Sequence, residues 1–328
     1  MPAPDAPTRI PRTLADRITA AFRAGEDAVG ALTGAQPRDG RDRLRTLQVI
    51  HDLHVGSLDR VGDAVRFQHH PAVAELKGRL EAEVLAELAG MVDPTPDDVD
   101  AVAELRAIAR QDQVPEVYRW LADDASWDEL VEFLALEGGP DAGFDDLVAA
   151  CQIGLRGEPK LELARNYWDE MGRGTLAEVH TELHHRLAVA IGMPTVPTSD
   201  VPLSGLLRTT LGGILATNRL LQPEMVGALG LLELQAGPRC RQVVKALERL
   251  DAPADAFPFY TEHRDVDPHH GKAWLDNAVV HLADDPRWAV GMVRGARWRA
   301  ATNSGFFADM AARFARPAAG EALTAASA

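Results

Sequence analysis

The sequence predicts an all-α protein, on three observations. Aromatic residues make up only 5% of the 328 residues while Ala and Leu abound, a composition that suits helices better than sheets. Apolar residues recur at helical spacing through almost every segment, and no stretch alternates apolar and polar residues for long enough to require a strand. No internal repeat of fixed period is present, which disfavours a helical solenoid.

The elements follow in order. The Pro-rich opening over 1–12 reads as a disordered arm. Leu14, Ile18, Ala21 and Phe22 share one face of a first helix. Leu44, Leu47 and Ile50 mark a second, and Val73, Leu76, Leu80, Val84 and Leu88 a third. Pro94 to Asp98 supply a turn and a start signal for helices at about 97–111 and 115–122. Ser126 caps a helix through Leu136 that Gly138-Gly139-Pro140 stops. Further helices are expected at about 142–154, 159–190, 203–219, 223–247, 253–282 and 286–315, with a flexible tail over 317–328. The expected organisation is accessory helices over 13–112, packed on a catalytic domain over 113–316.

Composition narrows the function. Lys plus Arg number 34 against 49 Asp plus Glu, a net charge of −15, which repels phosphate backbones and anionic lipid. Nucleic acid and membrane are therefore not expected partners. Cys151 and Cys240 lack the spacing of a zinc or redox pair and read as two buried thiols. With no signal-peptide pattern and no apolar membrane span, a cytoplasmic location is expected. Phosphate-binding glycine loops and a Gly-x-Ser-x-Gly elbow are absent, so nucleotide binding and serine hydrolysis lack support.

The richest run is Tyr260 to Trp274, YTEHRDVDPHHGKAW. His263, Asp267 and His270 fall at about 0°, 40° and 340° around a helix, so all three project from one narrow face. Imidazoles with a carboxylate suit Fe, Zn or Mn; a solvated face with a chance cluster is the competing reading. Pro268 inside the run weakens a regular helix or marks a kink. Other ligands must come from elsewhere. Glu170 and His180 would lie about 80° apart on a straight helix, which Gly172 and Gly174 could bend. Glu233, flanked by Leu232 and Leu234, is either at a solvated edge or buried with a partner such as a metal. Glu182 and His185 form one Glu-x2-His without a second copy, against a ferritin-like centre. His51-Asp52 with His54 reads as an exposed helix, and His69-His70 before Pro71 as a turn.

Together these motifs carry a resemblance. ELARNYWDEMGRG, a His ten residues beyond its last Glu, the later lone Glu and EHRDVDPHHGKAW, over roughly residues 126 to 285, resemble the haem-oxygenase-like diiron oxidases and oxygenases, the iron-containing redox enzymes. The resemblance implies a bundle of about seven core helices, here with additional N-terminal helices, holding two non-haem Fe(II) ions that use O2. Carried over, it implies Glu170, His180, Glu233, His263, Asp267 and His270 as ligands. Some members add a Glu from an earlier helix, for which Glu137 is the better candidate and Glu132 the weaker. Asn166, Tyr167 and Trp168 are candidates for the pocket or for groups that orient the ligands.

The implied reaction is oxidation of a small amino-acid-like or amine metabolite, most favourably N-oxygenation in natural-product biosynthesis. Desaturation or carbon–carbon cleavage of an amino acid or fatty acid at the same centre is the alternative. A metal-free binding module, or a thiaminase-like protein of the same fold, is another. A homodimer and an external reductant stay open.

Overall fold

The computed structural model describes residues 13–141 and 143–314, so the expected arm over 1–12 and tail over 317–328 lie outside the described residues. Every regular element among the described residues is helical. No helix among them is long and apolar enough to cross a membrane. Contacts divide the chain into two units between Leu88 and Ala89.

The first unit comprises α1 (Leu14–Ala24), α2 (Glu26–Gly30), α3 (Gly40–Val55), α4 (Leu58–Val61) and α5 (Pro71–Gly90). Thr13 opens α1 with a reciprocal cap: its hydroxyl accepts the Asp16 N–H at 3.0 Å, and the Asp16 carboxylate accepts the Thr13 N–H at 3.3 Å. Asp42 is buried near the start of α3. Its carboxylate accepts backbone N–H groups of Leu14, Ala15 and Arg38 at 2.8, 3.1 and 2.9 Å, pinning the positive end of α1 to α3. The predicted apolar stripes, including Ile18, Leu47, Ile50, Leu76 and Leu80, are fully buried.

The second unit continues with α6 (Ala101–Gln111), α7 (Glu116–Asp123), α8 (Trp127–Asp141), α9 (Phe144–Cys151), α10 (Gly157–Glu170) and α11 (His180–Ala190). After these come α12 (Leu203–Thr217), α13 (Gln222–Arg249), α14 (Pro258–Ala273), a π-helical turn over Trp274–Val279, α15 (Val280–Leu282) and α16 (Pro286–Phe314). Here α6 packs on α13 and α16. The division thus falls some two dozen residues before the boundary the sequence suggests. Asp100, not Asp97 or Asp98, caps α6, accepting the Ala103 N–H at 3.0 Å. Ser126 and Glu129 cap α8 reciprocally, but α8 runs on to Asp141 and is not stopped at Gly138.

The long α13 buries most of its circumference, packing against α14, α16, α7, α12 and α6. Two glycine contacts set its distance from α16. A Cβ on Gly227 would lie 1.8 Å from the Met292 carbonyl oxygen, and one on Gly295 2.0 Å from that of Glu224. At the far end of α13, the Arg249 guanidinium donates to the carbonyls of Leu121, Ala122 and Ala125 at 3.0, 2.8 and 2.6 Å, satisfying the C-terminus of α7. Cys151 and Cys240 are buried and unbridged, as expected.

His51-Asp52 corrects one expectation. Adjacent helical residues point about 100° apart, so Asp52 faces outward to Arg60 at 2.6 Å while His51 is buried rather than exposed. His51 Nε2 lies 2.7 Å from Glu81 Oε1, and Lys77 donates to the other Glu81 oxygen at 2.9 Å. Burial holds the His51 ring below its ordinary pKa. Burial pushes the Glu81 carboxyl up, but His51 and Lys77 outweigh this and hold it low. Both shifts have one sign: the unfolded chain takes up protons before the folded one does, so stability is present above the unfolded pKa values and is lost on acidification. Hydrogen exchange of α3 and α5, corrected for intrinsic rates, is expected to lose protection from about pH 6.5 downward, by at most about tenfold per pH unit for each group. Protection that is flat or rising from pH 7 to 5 would contradict this reading.

Candidate metal centre

The site begins on α10. Glu162, Asn166 and Glu170 recur at every fourth residue and are buried on one face. α10 ends at Glu170, and the chain then passes through three left-handed residues, Gly172 (φ 57°), Arg173 (φ 52°) and Gly174 (φ 87°), before α11 begins at His180. The single helix expected over 159–190 is thus two helices. The break removes the angular separation a straight helix would impose, and Glu170 Oε2 lies 2.7 Å from His180 Nδ1. Gly172 makes the turn: besides its φ, a Cβ there would sit 2.5 Å from the Glu178 carbonyl carbon and 2.6 Å from the Val179 nitrogen.

The remaining side chains come from α13 and α14. These helices touch backbone to backbone at Gly271, where a Cβ would lie 3.0 Å from the Glu233 carbonyl group. Pro268 does not end α14; its ring packs at Gly237, where a Cβ would meet it at 2.9 Å. His263, Asp267 and His270 therefore project from α14 past Glu233. Two three-donor clusters result, Glu170–His180–His263 and Glu170–Glu233–His270, and within each the donor atoms all lie within 4.8 Å of one another. Glu170 belongs to both. Asp267 Oδ1 stands 3.7 Å from His270 Nδ1, beside the second cluster.

The donors are oriented by neighbours. His263 Nδ1 lies 2.7 Å from the Phe259 carbonyl, which leaves Nε2 for the cluster. His270 Nε2 lies 3.0 Å from Asp169 Oδ2, which turns Nδ1 inward, 3.6 Å from Glu233 Oε2. Asn166 donates to Glu233 Oε1 at 2.7 Å. Two nitrogens, His180 Nδ1 and His270 Nδ1, are buried without an aligned hydrogen bond although carboxylate oxygens stand close by. Unsatisfied imidazole nitrogens converging with buried carboxylates are what a cation would complete, and this oxygen and nitrogen set suits iron, zinc or manganese.

Electrostatics points the same way. Burial, then the charges of Glu233 and Glu170, drive the Asp267 carboxyl well above the ordinary carboxylate range. Burial also pushes Glu170 up, but His180, His263 and His270 outweigh it and hold the carboxyl low. Burial and the neighbouring His180 bring His263 down to about 4, so its ring is neutral at pH 7, as a ligand must be. Burial would lower His270 as well, but Glu233 and Asp169 raise it to about 9, so this ring holds a proton at pH 7 that a metal ion drawn by the same carboxylates would have to displace.

A cavity of about 220 Å³ opens onto the clusters and is lined by Glu170, Glu233, His263 and Asp267 among others. Glu137 lines it too but belongs to neither cluster; the Tyr118 hydroxyl donates to its carboxylate. Glu132 lies at the surface, paired with Arg313. Of the three suggested pocket residues only Asn166 reaches a cluster. Trp168 is 55% exposed, its ring lying over Gly174, and Tyr167 does not line the cavity. Glu182 and His185 are exposed on α11. The sequence reading missed Asp169, although its place beside Glu170 at the end of α10 was a signal, and His184, which lines the cavity one turn after His180. It also missed the cavity arginines Arg208, Arg239 and Arg299, for which no local pattern exists.

Gly172→Ala is expected to separate Glu170 from His180 and to weaken Fe(II) binding at least tenfold, since the left-handed φ alone costs an L-residue about 1–2 kcal/mol and the clash is with backbone. Gly174→Ala, whose Cβ would meet only the partly exposed Trp168 ring at 3.0 Å, is expected to do less. Metal titration of both variants checks the order; equal effects would refute it.

Against known proteins, no curated sequence matches the chain. A family model described as iron-containing redox enzyme matches residues 131–303, a span that contains Glu170, His180, Glu233, His263, Asp267 and His270. With that match over more than half its length and an all-helical structure, the chain belongs to the iron-containing redox enzyme family and has its haem-oxygenase-like fold.

Proposed function

We propose that the chain is a non-haem diiron oxygenase or oxidase that uses O2 to oxidise a small amino-acid-like or amine metabolite, with N-oxygenation as the favoured chemistry. The observation that carries this reading is the sharing of Glu170 by two three-donor clusters, as a carboxylate between two neighbouring metal ions requires. His180 and His263 would hold one ion, Glu233 and His270 the other, with Asp267 beside the second. When bound, two ferrous ions supply the electrons that reduce O2.

The chain's own residues provide the rest. Phe259 and Asp169 fix which nitrogen His263 and His270 present, and Asn166 holds one oxygen of Glu233 so that the other turns to the cluster. Tyr260, Phe259 and Phe307 contribute apolar walls to the cavity, restricting water around the donors. Glu137, Asp145 and the arginines give those walls polar groups, which favours a polar metabolite over the long apolar tunnel that a fatty-acid substrate would need. A homodimer and an external reductant are compatible with this reading.

Iron per chain after anaerobic reconstitution tests it. Wild type is expected to hold about two ions, His180→Ala and His263→Ala about one, and Glu170→Ala fewer than one, since its carboxylate serves both positions. Incubation of the reconstituted protein with amines and 18O2 should place label on nitrogen. One ion in wild type, or two retained in Glu170→Ala, would overturn the diiron reading.

A further inference from the structure

The break between α10 and α11 holds a residue that its backbone does not favour. Gly172 and Gly174 suit a left-handed path, but Arg173 between them has φ 52° and ψ 32°, a region that residues with a Cβ enter only at a cost. A third glycine would take the same path without strain. What the side chain touches accounts for an arginine there.

The Arg173 side chain is 44% exposed, and its guanidinium reaches carboxylates from three segments. It donates to Glu262 Oε1 on α14 at 3.0 Å, and lies 3.5 Å from Asp169 Oδ1 on α10 and 3.6 Å from Glu178 Oε2 in the turn before α11. Each of these acids adjoins a donor of the first cluster in sequence: Asp169 precedes Glu170, Glu178 stands two residues before His180, and Glu262 precedes His263. One cation therefore ties together, from outside, the three segments that supply Glu170, His180 and His263. Its reach extends to the second cluster through Asp169, whose other oxygen lies 3.0 Å from His270 Nε2. Without the guanidinium, three acids would face one another across this seam and repel.

We propose that Arg173 is a positioning residue for the metal centre, an exposed ionic clamp that keeps the segments carrying Glu170, His180 and His263 in register so that the first cluster is formed before metal arrives. The inference rests on the reading of the clusters as a metal centre. An isolated exposed ion pair contributes little, because side-chain entropy and screening offset its attraction. Arg173 differs in that one guanidinium serves three acids, and ordering the donors in advance lowers what binding must spend on ordering them. Salt screens an exposed clamp far more than it screens buried donors. Metal affinity thus acquires a salt-dependent component set by a residue that is not itself a donor.

Anaerobic competition of the full chain for Fe(II) against a chromophoric chelator tests the clamp, at about 10 mM and about 1 M sodium chloride, where the Debye length is about 30 Å and about 3 Å. At low salt Arg173→Gln is expected to bind Fe(II) about fivefold more weakly than wild type. At high salt the two are expected to agree within about twofold. Arg173→Lys should recover part of the low-salt affinity. Arg173→Gly relaxes the backbone while removing the charge and should lose as much as Arg173→Gln; wild-type affinity in Arg173→Gly would overturn the clamp. Glu262→Gln should lose severalfold, and the double variant no more than Arg173→Gln alone. A deficit in Arg173→Gln that stays the same at high salt would also overturn the clamp, since a merely steric role does not respond to salt. Should Arg173→Gln fail to fold by circular dichroism, Arg173→Lys and Glu262→Gln decide by the same salt comparison. Metal-free protein gives a readout independent of iron. The Leu183 amide, which donates to the Val179 carbonyl at 2.9 Å near the start of α11, should exchange about fivefold faster in Arg173→Gln than in wild type at low salt. If that difference is present but wild type takes up no iron, the metal-centre reading falls and the clamp stands. Iron uptake with equal Fe(II) affinity and equal exchange in the two proteins would sink the clamp alone.

Discussion

Three acids, Glu170, Glu233 and Asp267, are buried together, and their mutual repulsion is the constraint around which the second unit is arranged. Removing a carboxylate from water costs several kcal/mol after relaxation, and a second one nearby adds to the cost. Imidazoles offset part of it: His180 stands against Glu170 and His270 against Glu233. Asn166 gives Glu233 a hydrogen bond, and Asp169 keeps His270 turned toward the acids. The compensation is incomplete, since two ring nitrogens still lack aligned partners. Such a pocket is stable in proportion to how firmly its helices are held by packing elsewhere.

That packing is provided by α13 and its neighbours. Glycines on α13, α14 and α16 let backbones meet without intervening side chains, so the position of Glu233 relative to α14 follows from main-chain contact. Trp274, fully buried, fills the next level, its indole N–H donating to the Val226 carbonyl at 3.1 Å while a Cβ on Gly230 would strike its ring. It opens the π-helical turn that follows the ligand-bearing part of α14, a type of irregularity frequent at functional sites. From the same turn Asn277 donates to Glu162 on α10 at 2.8 Å, tying the end of one ligand-bearing region to the start of another.

Much of this was legible in the sequence because periodicity reports which faces are buried. The stripe from Leu14 to Phe22 and the single face of His263, Asp267 and His270 depend only on helical geometry. Periodicity does not report what lies across from a face, so nothing in the sequence linked Arg173 to Glu262 on α14. Nor could it resolve Glu170 and His180: the left-handed path from Gly172 to Gly174 is fixed by close approach to the Glu178 backbone, a contact visible only in three dimensions. Gly138-Gly139-Pro140 misled in the opposite direction, as breakers that stand within α8 rather than before its end. Trp168 looked like a pocket residue by its neighbours in sequence, but the face of α10 that carries it points away from Glu162, Asn166 and Glu170.

The contacts of Gly227 with Met292 and of Gly295 with Glu224 carry a consequence for how this chain tolerates sequence drift. Where side chains separate two helices, a lost methyl in one is absorbed by a gained methyl in another, and spacing wanders over time. Here the two helix axes rest on each other's main chains, and no second substitution can restore the spacing once a side chain intrudes. These two positions act as the fixed gauge of the unit. A comparison of relatives that tracked only acids and histidines would overlook them, although α16, on which Arg299 stands, is held at its distance from Glu233 by nothing larger than a hydrogen atom.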